Sequence, residues 1–225
     1  MGKYFFLIFF FFGLIKIEAQ TKIDTVDLKY LEDQIYVSLT YNILTNKPKD
    51  ISQNGFSGGI SVGFIKDIPF NSKRNYGLGI GLGYAYNAAI QNLKISRENK
   101  QTVFELAQDY DTNRLVMHSL ELPIEIRWRN STPVKYRFWR IYGGFKFSYL
   151  FSIKSKYEDT NGIITTKNIP EFNKLQYGIT LATGYSTWNI YLYYGLNTLF
   201  KDTVKFENEN LKLNEFNVGL KFYIM

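Results

Sequence analysis

Six charged side chains, Glu121, Glu125, Arg127, Arg140, Lys146 and Lys221, interrupt stretches in which every second residue is apolar. Carboxylates and cations on one face of an extended chain can pair across an enclosed space or line a path for small ions. With the turn that follows Trp128 centred near Pro133–Val134, Glu121 is expected opposite Lys146 and Arg127 opposite Arg140. Glu125 then lies diagonal to Arg140, and Lys221 completes the set. A salt-bridge plug is the structural reading, and a gated small-ion path is the functional one. Losing one partner of a buried pair costs about 3–5 kcal/mol, although the pair itself adds little net stability. The set therefore argues for a closed, uniquely packed interior more than for transport.

Other residue patterns carry less chemistry. His118 is the single histidine, and Ser119 follows it. Neighbours on a strand point to opposite faces, so these two cannot form a nucleophile–base pair. No G-x-S-x-G elbow is present. Asp109–Asn113, "DYDTN", opens like a calcium loop, but Arg114 stands where such a loop needs glycine and Leu120 where it needs a bidentate Glu. In "YGLGIGLGYAYN", Tyr76–Asn87, glycine recurs every second residue, whereas a dinucleotide loop needs G-x-G-x-x-G opening a helix. The chain is thus read as non-enzymatic, with no cofactor and no metal.

The positioning elements are strands. Alternation of period two recurs in eight segments, from "DQIYVSLTYNIL" to the terminal "FNVGLKFYIM". One phase is strongly apolar and aromatic; the other is mostly Gly, Ser, Thr, Asn and Tyr. This reads as an all-β fold, an eight-stranded antiparallel up-and-down transmembrane β-barrel. A soluble barrel with an apolar interior is the competing architecture. A water-facing wall would be rich in Lys and Glu, and turning the faces over would put Lys146 and Arg127 into lipid, at up to about 2–4 kcal/mol each. Strands of about 11 residues at ~3.3 Å per residue, tilted ~40°, span roughly 28 Å, close to the ~25 Å apolar band of an outer membrane. Trp128, Trp139 and Trp188 fall near short-turn ends, where an interfacial girdle belongs. The glycine row is expected to make room for large lumen side chains such as Tyr142, Tyr191, Tyr193 and Tyr223; strand curvature is the rival explanation. Pro123 removes a ladder donor, so a bulge is expected there.

Residues 1–19 read as a signal peptide: Lys3, then the apolar run Tyr4–Ile15, then Ala19 before Gln20. An uncleaved anchor is the alternative. Residues 20–33 form a periplasmic segment, and 34–225 the barrel. The chain carries 27 Lys and Arg against 20 Asp and Glu, a net charge of +7, without a continuous basic stripe. Together with export, this excludes nucleic acid as a partner. There is no cysteine, so stability must come from the core or from a membrane.

At "ELPIEIRWRNSTPVKYRFWRIYGGFKFSYLF", Glu121–Phe151, the chain resembles the PorT-type outer-membrane β-barrel family of the Bacteroidetes. "RNYGLGIGLGYAYN" and "NVGLKFYIM" are similar too, so the resemblance spans essentially the mature chain. It implies a small outer-membrane barrel with both termini in the periplasm, embedded in outer-membrane lipid. The namesake is associated with type IX secretion and gliding. The last strand also looks like a signal for the barrel-assembly machinery, with Asn217, Gly219 and Phe222 in place and Ile224 where an aromatic is usual. The expected role is a structural or assembly one, with a periplasmic or secretion-system protein as partner; the alternative is a narrow pore for ions or small solutes. In that orientation the short turns carry Lys66, Lys73, Arg74, Arg127, Arg129, Lys135, Arg137 and Arg140, with Asp67 as the one acid. Lys73, Arg74, Lys135 and Arg137 form the expected periplasmic basic rim.

Overall fold

A computed structural model of the chain describes residues 33–132, 137–207 and 209–224. The expected signal peptide, nearly all of the segment before the barrel, and Lys135 of the expected rim lie outside the described residues. The strands are β1 (Asp33–Thr45), β2 (Gly58–Pro69), β3 (Tyr76–Ile90), β4 (Leu93–Glu98), β5 (Gln101–Leu106), β6 (Thr112–Arg129) and β7 (Trp139–Asp159). They continue with β8 (Gly162–Lys167), β9 (Leu175–Tyr185), β10 (Trp188–Gly195), β11 (Lys205–Phe206), β12 (Glu209–Asn210) and β13 (Asn214–Ile224).

Eight of these strands close into an antiparallel barrel in the order β6-β3-β2-β1-β13-β10-β9-β7, with β7 returning to β6. Each strand pairs with its neighbour along the barrel chain, and β1–β13 pairing joins the two ends of the meander. Closure leaves no free edge, the condition for crossing hydrocarbon with strands. The β4–β5 and β11–β12 hairpins belong to the long connections at one end, where β8 folds back antiparallel on the outer end of β7. The other end has short turns, the tightest being Ser186–Thr187 between paired Tyr185 and Trp188, with Ser186 at φ 57°.

The period-two pattern becomes two chemically opposite walls. Ile126 is 66 % and Leu82 62 % exposed on the outside, while Arg127, between Ile126 and Trp128, is 0 % exposed in the lumen. Trp128, Trp139 and Trp188 stand at the short-turn end, and Tyr84, Tyr86 and His118 form an outer aromatic group. From Trp128 to His118 the chain climbs about 25 Å along the axis, at ~3.3 Å per residue and ~40° tilt. That matches the apolar thickness of an outer membrane.

Two register features depart from the sequence reading. The bulge lies between His118 and Ser119, which pair with Ser152 and Leu150 and leave Phe151 as the extra residue. It flips the phase of β7, so Ile153 points inward and is 4 % exposed instead of following Phe151 outward. At Pro123 the register with β3 is unbroken, but the described pairs skip from Ile80–Ile124 to Gly83–Glu121. A missing N–H interrupts a ladder without adding a residue.

The inward glycines serve as clearance, though for different side chains from those expected. A Cβ on Gly83 would collide with the Tyr36 hydroxyl, and one on Gly63 would stand 2.6 Å from the Tyr36 ring. On Gly79 it would meet the Arg127 guanidinium, with Cζ at 2.7 Å, and on Gly81 the Ile65 side chain. Of the four tyrosines expected to fill the gap, Tyr193 instead packs over Gly178. A Gly79→Leu change should therefore displace Arg127 from its acids and cost about 3 kcal/mol or more. Gly143→Ala, where the added carbon finds its first neighbour at 3.9 Å, should change stability by less than about 0.5 kcal/mol. Urea unfolding in lipid vesicles measures both.

Candidate functional site

Alternation along β6 turns Glu121, Glu125, Arg127 and Arg129 into the lumen on one wall. Glu125 is the meeting point of the inner half. It accepts from Lys221 Nζ at 2.8 Å, from Arg127 Nη2 at 2.8 Å and Nε at 3.1 Å, and from the Tyr223 hydroxyl at 3.1 Å. β13 lies four strands from β6 in either direction around the barrel, so the Lys221–Glu125 bridge spans the lumen. Arg127 also reaches Asp67 on β2 at 2.7 Å, and Arg129 holds both oxygens of Asp67 at 2.6 and 2.8 Å. The rings of Tyr142 and Tyr223 lie 4.6 and 5.3 Å from the Arg127 guanidinium. All these charged groups are buried.

One step further out, Lys146 Nζ donates to Glu121 Oε1 at 2.6 Å and lies 4.2 Å from the Tyr193 ring centre. The two are not directly opposed. Lys146 pairs with Pro123 and Arg140 with Arg129, so the register differs from the expected one by two residues and the lysine reaches Glu121 diagonally. Above this pair Glu215 of β13 shares the inward phase of Asn217 and Lys221, and the wall is otherwise polar, with Ser38 bonded to Ser61 at 2.5 Å and Asn42 donating to Asn87 at 3.0 Å.

Arg140 is not brought into an ion pair. Among the described residues its three nitrogens find no hydrogen-bond partner, and its charge faces the rings of Phe138 at 4.6 Å, Tyr223 at 5.6 Å and Tyr142 at 5.8 Å. A desolvated cation–ring contact is worth about 2 kcal/mol. Arg127, Arg129 and Arg140 are thus lumen residues, not rim residues, and Asp67 is buried between two of them. Of the expected rim, Lys73 and Arg137 are exposed and Arg74 is half-buried. The Arg74 carbonyl accepts from Arg129 Nε at 2.7 Å. Lys66 points outward to Asp33 at 2.8 Å.

The outer third of the interior is apolar, which the sequence reading missed. Leu44, Leu115, Met117 and Ile153 from the strand ends meet Ile51, Leu93, Ile95, Ile169, Phe172, Phe200 and Leu213 from the long connections in one buried cluster. The Phe172 and Phe200 rings lie 4.2 Å apart and tilted by 46°, and Phe104 of β5 lies edge-on to Phe200 at 5.5 Å. The signal was in the inward phase itself, which turns from Ser and Asn to Leu and Met toward the long-loop end. His118 lies on the outer wall, its Nδ1 2.7 Å from the Tyr84 hydroxyl, while Ser119 is buried on the opposite face.

No curated protein matches the chain. The solved structures that align with the chain include two of one protein. The crystal structure of Ail, the attachment invasion locus protein of Yersinia pestis, aligns at 10 % identity and a TM-score of 0.39. Ail in complex with the heparin analogue sucrose octasulfate aligns at 12 % and 0.36. Each alignment covers 85 % of this chain and 97 % of the other. The family model described as outer membrane protein beta-barrel domain matches residues 18–201. With its closed strand order, lipid-compatible exterior and charged interior, the chain belongs to the outer membrane protein β-barrel domain family and is a protein of the outer membrane.

Proposed function

We propose that this barrel is a sealed, non-enzymatic membrane scaffold that acts through its two ends. The observation that carries this reading is closure at two heights: cross-lumen ion pairs around Glu125 in the inner half and a packed apolar cluster under the long connections. The resemblance to the PorT-type family supports an assembly role linked to type IX secretion. The periplasmic rim formed by Lys73, Arg74, Lys135 and Arg137 is the proposed contact for an acidic patch on a periplasmic partner. Burial of Arg127, Arg129 and Arg140 narrows that rim to side chains outside the lumen. The remaining cations still act over about one Debye length, ~8 Å at physiological salt.

In planar bilayers the native protein is expected to show no discrete conductance steps. Glu121→Lys strands two cations in the inner lumen and should produce leak or failed assembly, and Glu121→Lys with Lys146→Glu should restore the silent barrel. Steady steps from the native protein would support the narrow pore instead.

Changing Lys73, Arg74, Lys135 and Arg137 together to Gln should leave insertion and heat-modifiable migration intact. The same change should remove a salt-sensitive crosslinked band seen with the native protein. A crosslink pattern unchanged by the substitutions and by salt would reduce the rim to lipid anchoring.

A further inference from the structure

The outward wall becomes basic just above its outer aromatic row. On β6 the lipid-side phase runs Leu120, His118, Val116, Arg114, so Arg114 stands about 10 Å beyond His118, at headgroup height. β7 places Lys154 opposite Val116 and Lys156 opposite Arg114, and β8 places Lys167 opposite Lys154. Two like-charged pairs therefore face each other directly across neighbouring strands, an arrangement that destabilises a sheet unless an anion sits between them. Lys156 has Glu158 at 2.6 Å. Among the described residues no carboxylate lies within ion-pair distance of Arg114, Lys154 or Lys167.

Beside this row the wall is dented. Gly58 and Ala88 occupy outward positions on paired strands, and the missing side chains leave a groove of about 600 Å³ between Tyr41, Phe56, Ile60 and Tyr86. Arg114 also lines this groove. A cationic cluster at headgroup height, continuous with an apolar groove in the membrane-facing wall, matches an anionic amphiphile. A soluble polyanion would make no use of the groove, and a free phosphate would not reach along it. The long-connection end of such barrels faces the cell exterior.

We propose that this outer edge binds a phosphorylated, acylated glycolipid of the outer leaflet. Arg114, Lys154, Lys156 and Lys167 hold its phosphates, and the groove takes an acyl chain.

The test uses the full-length protein in micelles doped with a diphosphorylated lipid A-type glycolipid or its dephosphorylated form, read by native mass spectrometry. The native barrel should retain the phosphorylated form, and Arg114→Gln/Lys154→Gln/Lys167→Gln should weaken retention at least ~10-fold while keeping heat-modifiable migration. Ala88→Phe, which fills the groove, should weaken it without removing a charge. Equal retention of the dephosphorylated form, or retention unaffected by the triple change, would overturn the proposal. Displacement of the glycolipid by millimolar inorganic phosphate would also overturn it, in favour of a free-phosphate site.

Discussion

Glu125 has to satisfy two buried cations at once, one from its own strand and one from the far wall of the lumen. Lys221 comes from the opposite wall and Arg127 from the same strand, and Tyr223 donates its hydroxyl to the same carboxylate. Leaving any of these charges unpaired in the lumen costs several kcal/mol, far more than the pairs contribute net. The interaction therefore acts as a constraint on arrangement. It fixes the height of β13 against β6, and through the β1–β13 ladder it fixes how the meander closes. Gly79 follows from the same demand, because Arg127 can reach both Glu125 and Asp67 only where that glycine gives its guanidinium room.

Outside the barrel there is no aqueous phase to drive apolar burial, so the interior has to supply specificity in two different ways. The inner half uses charge, aromatic rings and hydrogen bonds. The outer third uses an ordinary packed core, made from strand ends that rise above the membrane and from the connections that fold over them. This division explains why β6 and β7 are longer than a membrane crossing needs: their outer ends carry Leu115 inward on one strand and Ile153 inward on the other. The Phe151 bulge is what brings Ile153 into that cluster.

Much of this was legible in the sequence because a strand writes its two faces in alternate residues. The eight segments, the closed meander, the tryptophan end and the inward positions of Glu121, Glu125, Arg127, Lys146 and Lys221 all follow from that periodicity. Partnership is less legible, since it depends on register and reach. A register two residues from the expected one took Lys146 off Glu121's directly opposed position, yet a lysine is long enough to close the diagonal. Asp67 shared the phase of Ser61 and Gly63 and so was readable as a lumen acid, but its nearness to the turn made it look like a rim residue. The bulge at Phe151 has no side chain that announces it, and proline drew attention to the wrong position. Cations at the outer edge escaped notice because Arg114, Lys154 and Lys167 are far apart in the chain and meet only through pairing.

A double-mutant cycle on Glu125 and Lys221, followed by reversible unfolding in lipid vesicles, tests the cross-lumen bridge most directly. Glu125→Gln and Lys221→Met should each cost about 3–5 kcal/mol, and the double variant should cost well under their sum, with a coupling of at least ~1.5 kcal/mol. Costs that add to within about 0.5 kcal/mol would contradict a bridge between the two walls.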